Sequence, residues 1–330
     1  MILTTKTSVG QYDIVIKRGV LSSLKEYLNL DRKVLIVTDS GVPEIYAKTV
    51  AAQCKAGYIY TFAQGEESKN FDTYQSILKQ MVANGFTRSD CVVAVGGGVV
   101  GDMAGFAAAS FMRGVDFYNI PTTVLSQVDS SIGGKVAIDF CGVKNIVGAF
   151  YPPKAVIIDA DTLKTLPKRQ VSNGLCEALK MAATFDSEFF NLFSKNDLDI
   201  DYIIEQSLRL KKTVVEEDEK EQGVRKVLNF GHTIGHAIES INVGRLYHGE
   251  CVGLGMLYCS SNDVKNKIET ALKRLGLPTE CEINADEIID FMSHDKKKSG
   301  DSISVIWVNE IGSYEIRKMT LSELKEVILK

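Results

Sequence analysis

The chain has 330 residues, 45% of them hydrophobic and 24% charged, an ordinary globular composition long enough for about two domains. Its net charge of −4 gives no basic field for a nucleic acid, it holds no run of about 18 apolar residues to span a membrane, and its start, MILTTKTSVGQYDI, lacks the apolar stretch of a signal peptide. Seven dispersed cysteines without a CxxC pair read as reduced thiols of a cytoplasmic protein, not as a disulfide frame or a zinc finger.

In chain order, VLIVTD (34–39), YIYTF (58–62), CVVAVGGG (91–98) and AVIIDAD (155–161) are nearly continuous apolar runs. That is the pattern of strands buried on both faces of a mostly parallel sheet. Residues 43–53 and 71–84 carry helical spacing between them, so this part reads as an α/β domain with a Rossmann-like sheet. Past residue 162 helical periodicity takes over, at 168–185, 187–195, 200–219, 226–241, 249–262, 265–275 and 285–294. The exception, ISVIWVNEIGSYEIRKM (303–319), alternates about a glycine turn and reads as a hairpin. The expectation is an α/β domain over 1–162, a mainly helical domain over 163–330, and a ligand cleft between them.

CVVAVGGGVVGDMAGF sets Gly96, Gly98 and Gly101 in GxGxxG spacing between a strand and a helix. Either the backbone there approaches a pyrophosphate at a helix N-terminus, or the turn simply needs small residues. Asp102 follows, as a ligand-binding group or as an acid facing the helix dipole. Asp39 ends the first strong strand, on a cofactor ribose or as a turn residue, and GEESK (65–69) offers Glu66 and Lys69, which alone read as a solvated loop. PTTVLSQVDSSIGGKVAIDFCGVKNIVGAFYPP (121–153) is too rich in Val, Ile and Phe for a surface loop. It carries Thr122, Thr123, Asp129, Lys135, Lys144 and Asn145, and Gly133–Gly134 before Lys135 suits an anion-binding backbone nest.

In the helical part, NGLCEALK puts Glu177 and Lys180 at i and i+3, a surface ion pair or a metal-binding carboxylate beside a substrate-facing lysine. Lys211 interrupts the apolar stripe of Ile204, Leu208 and Val215, so it either snorkels to solvent or meets an anion in a polar cavity. Arg225 after Gly223 suits a carboxylate or phosphate clamp. Three of the four histidines, His232, His236 and His248, fall within seventeen residues. His232 and His236 share a helix face with Glu239 one turn beyond, and spacing alone nominates those three as metal ligands.

Taken in order, GGGVVGDMAGF, MRG, PTT, VDSSIGGK, KNIVGAFYPP, NGLCEALK, DEKEQGVRKVLNFGHTIGHAIE and LYHGE closely resemble the 3-dehydroquinate synthase family of sugar-phosphate cyclases, from about residue 33 to 319. The resemblance implies an N-terminal NAD-binding α/β domain and a C-terminal helical domain carrying a catalytic zinc ion, with cobalt as an alternative. It implies Glu177, His232 and His248 as the metal ligands, with His236 facing substrate instead, against the bare spacing. It implies a substrate pocket lined by Asp129, Lys135, Asn145, Lys180, Lys211, Arg225, Asn229 and one of Lys296 and Lys297. Arg113 would reach the phosphate from the neighbouring subunit of a homodimer. Asp39, Glu66, Lys69, Gly98, Val99, Val100, Asp102, Thr122, Thr123, Lys144 and, on the cofactor side too, Lys135 would hold NAD+. Cys176 in place of the usual Ala and Val136 in place of a frequent Thr depart from the family pattern without removing a functional group.

The implied substrate is a small anionic sugar acid, 3-deoxy-D-arabino-heptulosonate 7-phosphate. The implied chemistry is transient oxidation at C5 by NAD+, β-elimination of phosphate, re-reduction, ring opening and aldol closure to 3-dehydroquinate, a shikimate-pathway step toward aromatic amino acids. Two rivals keep the scaffold. A polyol or glycerol dehydrogenase would have no use for Lys135, Lys211 and Arg225, and a sister cyclase would act on a sugar phosphate without the carboxylate that Asn229 and the DKK lysines suit.

Overall fold

The computed structural model describes residues 1–195, 197–296 and 302–329, the side chains of 294–296 excepted. It divides into two units, Met1–Pro167 and Lys168–Lys330.

The first unit is built on a sheet of β1 (Ile2–Thr7), β2 (Gly10–Ile16), β3 (Lys33–Asp39), β4 (Ala56–Phe62), β5 (Cys91–Gly96), β6 (Asp116–Pro121) and β9 (Ala155–Ile158). Their order across the sheet is β1-β2-β9-β6-β5-β3-β4. Pairing is parallel from β2 to β4 and antiparallel between β1 and β2. The all-apolar runs are explained by burial on both faces. Val34, Ile36, Val93 and Val95 pack on one side with Ala47 and Val50 of α1 (Glu44–Ala51). Leu35, Val37, Val92 and Ala94 pack on the other with Ile77 and Met81 of α2 (Phe71–Ala83) and Met103 and Ala104 of α3 (Gly98–Ser110). The expected α/β class with a mostly parallel sheet is the observed one.

The chain leaves β3 toward β4 on one side and returns to β5 on the other. The strand order therefore reverses between β3 and β5, and the carboxyl ends of such strands form the usual ligand crevice of an open parallel sheet. Asp39 ends β3, Gly96 ends β5, and Thr122 follows β6, so these residues share that edge.

The 121–153 stretch is not a loop. It holds a π-helix at Ser126–Ser130 and an antiparallel hairpin of β7 (Lys135–Phe140) and β8 (Val143–Phe150). β7 packs on α3.

The second unit contains α4 (Lys168–Phe185), α5 (Ser187–Leu192), α6 (Ile200–Glu217), α7 (His232–Ile241), α8 (His248–Tyr258), α9 (Asn262–Arg274), α10 (Ala285–Lys296), the hairpin β10 (Ile303–Trp307) and β11 (Glu315–Met319), and α11 (Leu321–Ile328). Asp186, Asp199, Ser261 and Thr320 cap α5, α6, α9 and α11 by accepting from first-turn amides. The single helix expected over 226–241 is broken. A 3-10 helix covers Val224–Asn229, and α7 starts only after Gly231, whose φ of +76° lies in the left-handed region. Among the described residues no helix is long and apolar enough to cross a membrane.

Candidate active site

Helix α4 buries Glu177 and Lys180, one turn apart, among Leu175, Ala178, Leu179 and Ala182. Both are buried, and the Lys180 ammonium lies 2.5 Å from Glu177 Oε2. The surface-ion-pair alternative is thereby excluded. The other carboxylate oxygen, Glu177 Oε1, is buried and makes no hydrogen bond. It faces His232 Nε2 at 3.8 Å and His248 Nε2 at 3.5 Å.

The histidines come from the first turns of α7 and α8, which pack against each other. Each presents Nε2 because Nδ1 is engaged elsewhere. His232 Nδ1 lies 3.2 Å from the Phe230 carbonyl oxygen, and His248 Nδ1 lies 3.0 Å from Glu239 Oε2. Both partners are acceptors, which assigns the proton to Nδ1 in the neutral rings and leaves the Nε2 lone pairs pointing at Glu177. Oxygen and nitrogen ligands around a tetrahedral zinc stand about 3.3 Å apart at the usual bond lengths. A buried carboxylate oxygen without a hydrogen bond, facing two imidazole lone pairs at nearly that spacing, fits a divalent cation.

The electrostatics agree. Burial alone would raise the Glu177 carboxyl, but Lys180 and His232 beside it hold it well below the ordinary carboxylate range. Burial, with Lys180 adding to it, pushes the His232 ring well down, toward the neutral form that ligates. Burial also disfavours charge on His248, yet Glu177 and Glu239 on either side raise it to about 9, so without an ion its ring is protonated, and a cation held there would displace the Nε2 proton to gain that lone pair.

Of the spacing-based triad of His232, His236 and Glu239, the structure brings the two histidines together and sets Glu239 apart from them. His236 does join the cluster, its ring centroid 5.1 Å from that of His232 and 5.6 Å from that of His248. A ligand-type nitrogen of each of the three histidines lies within 4.8 Å of the others. Glu239, however, stands behind His248, on the ring nitrogen away from Glu177. A carboxylate in that position commonly fixes the tautomer and ring plane of an imidazole.

Lys211 does not snorkel; it is 5% exposed, on α6, which packs against α4. The 3-10 helix carrying Arg225 and Asn229 packs on α4 and α6 as well. Arg225 is buried and donates through Nη1 to the Glu219 carbonyl at 2.5 Å. Asn229 Nδ2 donates to Glu221 Oε1 at 2.6 Å, and Glu221, missed in the sequence, holds a left-handed φ of 59°. Lys297 lies outside the described residues, as does the side chain of Lys296.

In the first unit, Lys69 overturns the solvated-loop reading of GEESK. It is buried, with its ammonium 2.6 Å from Asp102 and 3.6 Å from Glu66, and it donates to Asn145 Oδ1. Burial works against its charge, but Asp102 and Glu66 outweigh this and raise its pKa. Asp102 itself is pushed up to about 6, because burial outweighs the pull of Lys69. It lies beyond the first turn of α3, so its partner is Lys69 and not the helix end. Asn145 holds a left-handed φ of 55°, fixed by Asp139 Oδ1, which accepts its amide at 2.8 Å. Asp39 is buried and accepts the Gly41 amide at 2.8 Å, the turn role.

The glycine-rich turn serves packing at two of its positions. A Cβ on Gly96 would meet Val100 at 2.5 Å, and one on Gly101 would meet Asn119 at 3.1 Å. Gly98 and Val99 open α3, Val100 is in the core, and the Thr122 amide donates to the Gly96 carbonyl at 2.9 Å, bringing Thr122 and Thr123 beside the turn. Asp129 lies in the π-helix, Lys135 and Lys144 are exposed on the hairpin, and Gly133 and Gly134 both hold positive φ, of 100° and 65°. Arg113 is exposed, in a left-handed conformation that it shares with Met112.

The 3-dehydroquinate synthase N-terminal family model matches residues 59–173, and the 3-dehydroquinate synthase C-terminal model matches residues 174–298. The chain is 40% identical to the 3-dehydroquinate synthase of Streptococcus suis (strain 05ZYH33), over 99% of each chain. Among solved structures it is similar to 2-deoxy-scyllo-inosose synthase complexed with carbaglucose-6-phosphate, NAD+ and Co2+, with a TM-score of 0.90, 27% identity and 99% of both chains covered. It shares its fold with ValA (2-epi-5-epi-valiolone synthase) from Streptomyces hygroscopicus subsp. jinggangensis 5008 with NAD+ and Zn2+ bound, at a TM-score of 0.87, 24% identity and 96% of both chains.

Proposed function

Since the chain belongs to the 3-dehydroquinate synthase family, we propose that Glu177, His232 and His248 hold the divalent cation of a sugar-phosphate cyclase. The enzyme is a lyase that converts 3-deoxy-D-arabino-heptulosonate 7-phosphate to 3-dehydroquinate and phosphate. The observation that carries the residue assignment is Glu177 Oε1, buried without a hydrogen bond and faced by two imidazole Nε2 atoms.

When bound, a zinc or cobalt ion supplies Lewis-acid polarisation of substrate hydroxyls and NAD+ supplies a transient hydride acceptor. The protein's own share is binding, orientation and proton placement. Lys180 neutralises the second oxygen of Glu177 and keeps the carboxylate ionised. His236, exposed beside the two ligand rings, is the proton relay toward a substrate hydroxyl. Lys211 and Arg225, fixed cations within the helical unit, meet the substrate carboxylate and ring hydroxyls, with Asn229 set by Glu221. Lys135 and Arg113 meet the phosphate, beside Asp129 and Asn145.

NAD+ is assigned to the carboxyl edge of β3, β5 and β6. Asp39, the turn at Gly98, Val99 and Val100, Thr122 and Thr123 converge there, with Glu66, Lys69 and Asp102 forming a charged cluster and Lys144 on the hairpin. The strand-order reversal between β3 and β5 supports this choice. A homodimer in the cytoplasm completes the reading. Support for the dimer comes from exposed Met112, Phe140, Val143, Ile146 and Phe150; support for a reducing compartment comes from seven free cysteines.

The test is one incubation of purified protein with NAD+, Zn2+ and the heptulosonate phosphate. Inorganic phosphate appears in proportion to protein while NADH does not accumulate. Net NADH from glycerol, with no phosphate released from the sugar acid, would overturn the assignment in favour of a polyol dehydrogenase.

A further inference from the structure

His248 is the first residue of α8, and helix ends fray unless something holds them. Here the holding comes from α4, the helix that also bears Glu177. Arg169, Asn173 and Glu177 are spaced four apart and so share one face of α4. Arg169 grips Glu250 through two bonds, Nε to Oε1 at 2.6 Å and Nη2 to Oε2 at 2.7 Å, and Nη2 also donates to the Arg245 carbonyl at 2.8 Å. Its guanidinium lies 4.3 Å from the Tyr247 ring centroid. The buried Glu250 carboxylate accepts the Tyr247 amide at 2.8 Å. Asn173 Oδ1 accepts the Gly249 amide at 2.6 Å. Contact is so close that a Cβ on Gly249 would sit 2.1 Å from the Asn173 carbonyl oxygen.

The residues on both sides of His248 are thus tied to the face of α4 that carries Glu177. We infer that Arg169 and Asn173 are positioning residues. They fix the backbone of His248 against α4, keep its Nε2 at ligand spacing from Glu177, and thereby set the affinity of the site for its divalent cation. The inference rests on His248 being a metal ligand, and the experiment separates the two.

Zinc affinity is measured by chelator competition, and cobalt(II) d–d spectra are recorded, for the full-length protein and for Asn173→Ala, Asn173→Asp, Arg169→Ala and His248→Ala. Melting of each metal-free protein is followed in parallel. Asn173→Ala and Arg169→Ala each weaken zinc binding by about ten- to a hundredfold and alter the cobalt spectrum, the effect usual for groups behind a ligand. Asn173→Asp, which keeps the acceptor, restores most of the affinity. Were Arg169→Ala to fail to fold, the Asn173→Ala and Asn173→Asp pair still decides. Wild-type affinity and spectrum in Asn173→Ala, with a lowered melting temperature and with metal lost in His248→Ala, overturns the inference and leaves only a helix cap. Wild-type zinc affinity in His248→Ala overturns the ligand reading, and this inference with it.

Discussion

The ammonium of Lys180 lies 2.5 Å from Glu177 Oε2, one turn along the same buried face of α4. A buried pair contributes little net stability when intact, but removal of one partner strands the other's charge. Lys180→Met therefore lowers the stability of the metal-free protein by about 3 kcal/mol in urea unfolding. Zinc recovers more stability in the variant than in the wild type, because the ion then neutralises Glu177 alone. A loss within experimental error would mean that Glu177 is already balanced by the histidines.

Three residues around His248 have separable effects. Glu177→Ala and His248→Ala abolish bound zinc and activity. Glu239→Ala, which frees His248 Nδ1 from its 3.0 Å partner, retains zinc but binds it about ten- to a hundredfold more weakly. His236→Ala keeps zinc and loses turnover. Metal content after dialysis, read against phosphate release, orders the four variants; equal zinc loss in His236→Ala and His248→Ala sinks the ligand assignment.

That division marks where helical spacing stops being informative and only the family resemblance reaches His248. His232, His236 and Glu239 lie on one continuous helix, so their spacing is visible, but the return of α8 onto α7 that brings His248 among them is not. β3 and β5 are legible because both faces are buried and every residue of their cores is apolar. β8 is not, since its residues are exposed or half-buried and Asn145 leaves the extended region altogether. Lys69 fails for another reason: polarity along the chain cannot tell a solvated lysine from one whose partner, Asp102, arrives from a different helix.

The Lys69–Asp102 pair has a pH signature. Burial raises the Asp102 carboxyl from 3.8 to about 6 against the pull of Lys69. The folded value exceeds the unfolded one, so this group's contribution to stability is complete below the ordinary carboxylate value and is lost as the pH rises through about 6. Carbon-13 titration of labelled aspartate resolves a carboxyl with a midpoint near 6 that vanishes in Asp102→Asn. In Lys69→Met the midpoint moves higher, because the main group lowering it is gone. A midpoint near 4 in the wild type contradicts the burial argument.

Helices α7 and α8 meet backbone to backbone, and glycine makes that possible. A Cβ on Gly255 would lie 2.0 Å from the Gly231 carbonyl oxygen and 2.8 Å from the Gly235 nitrogen, while one on Gly235 would lie 2.9 Å from the Cys251 carbonyl oxygen. Alanine at position 255 gains about 1 kcal/mol of helix propensity but forces the two backbones apart. Overpacking against main chain outweighs that gain, for a net loss of about 2 kcal/mol. The same shift moves His248 away from His232, so Gly255→Ala also lowers zinc occupancy. Gly253→Ala is the control on the same helix: its Cβ would meet a Leu272 methyl at 2.9 Å, the movable end of a side chain, and its zinc site stays intact. Unfolding midpoints and zinc content of the two variants separate helix propensity from helix spacing, and equal behaviour of both would show that the glycine contact does not set the histidine geometry.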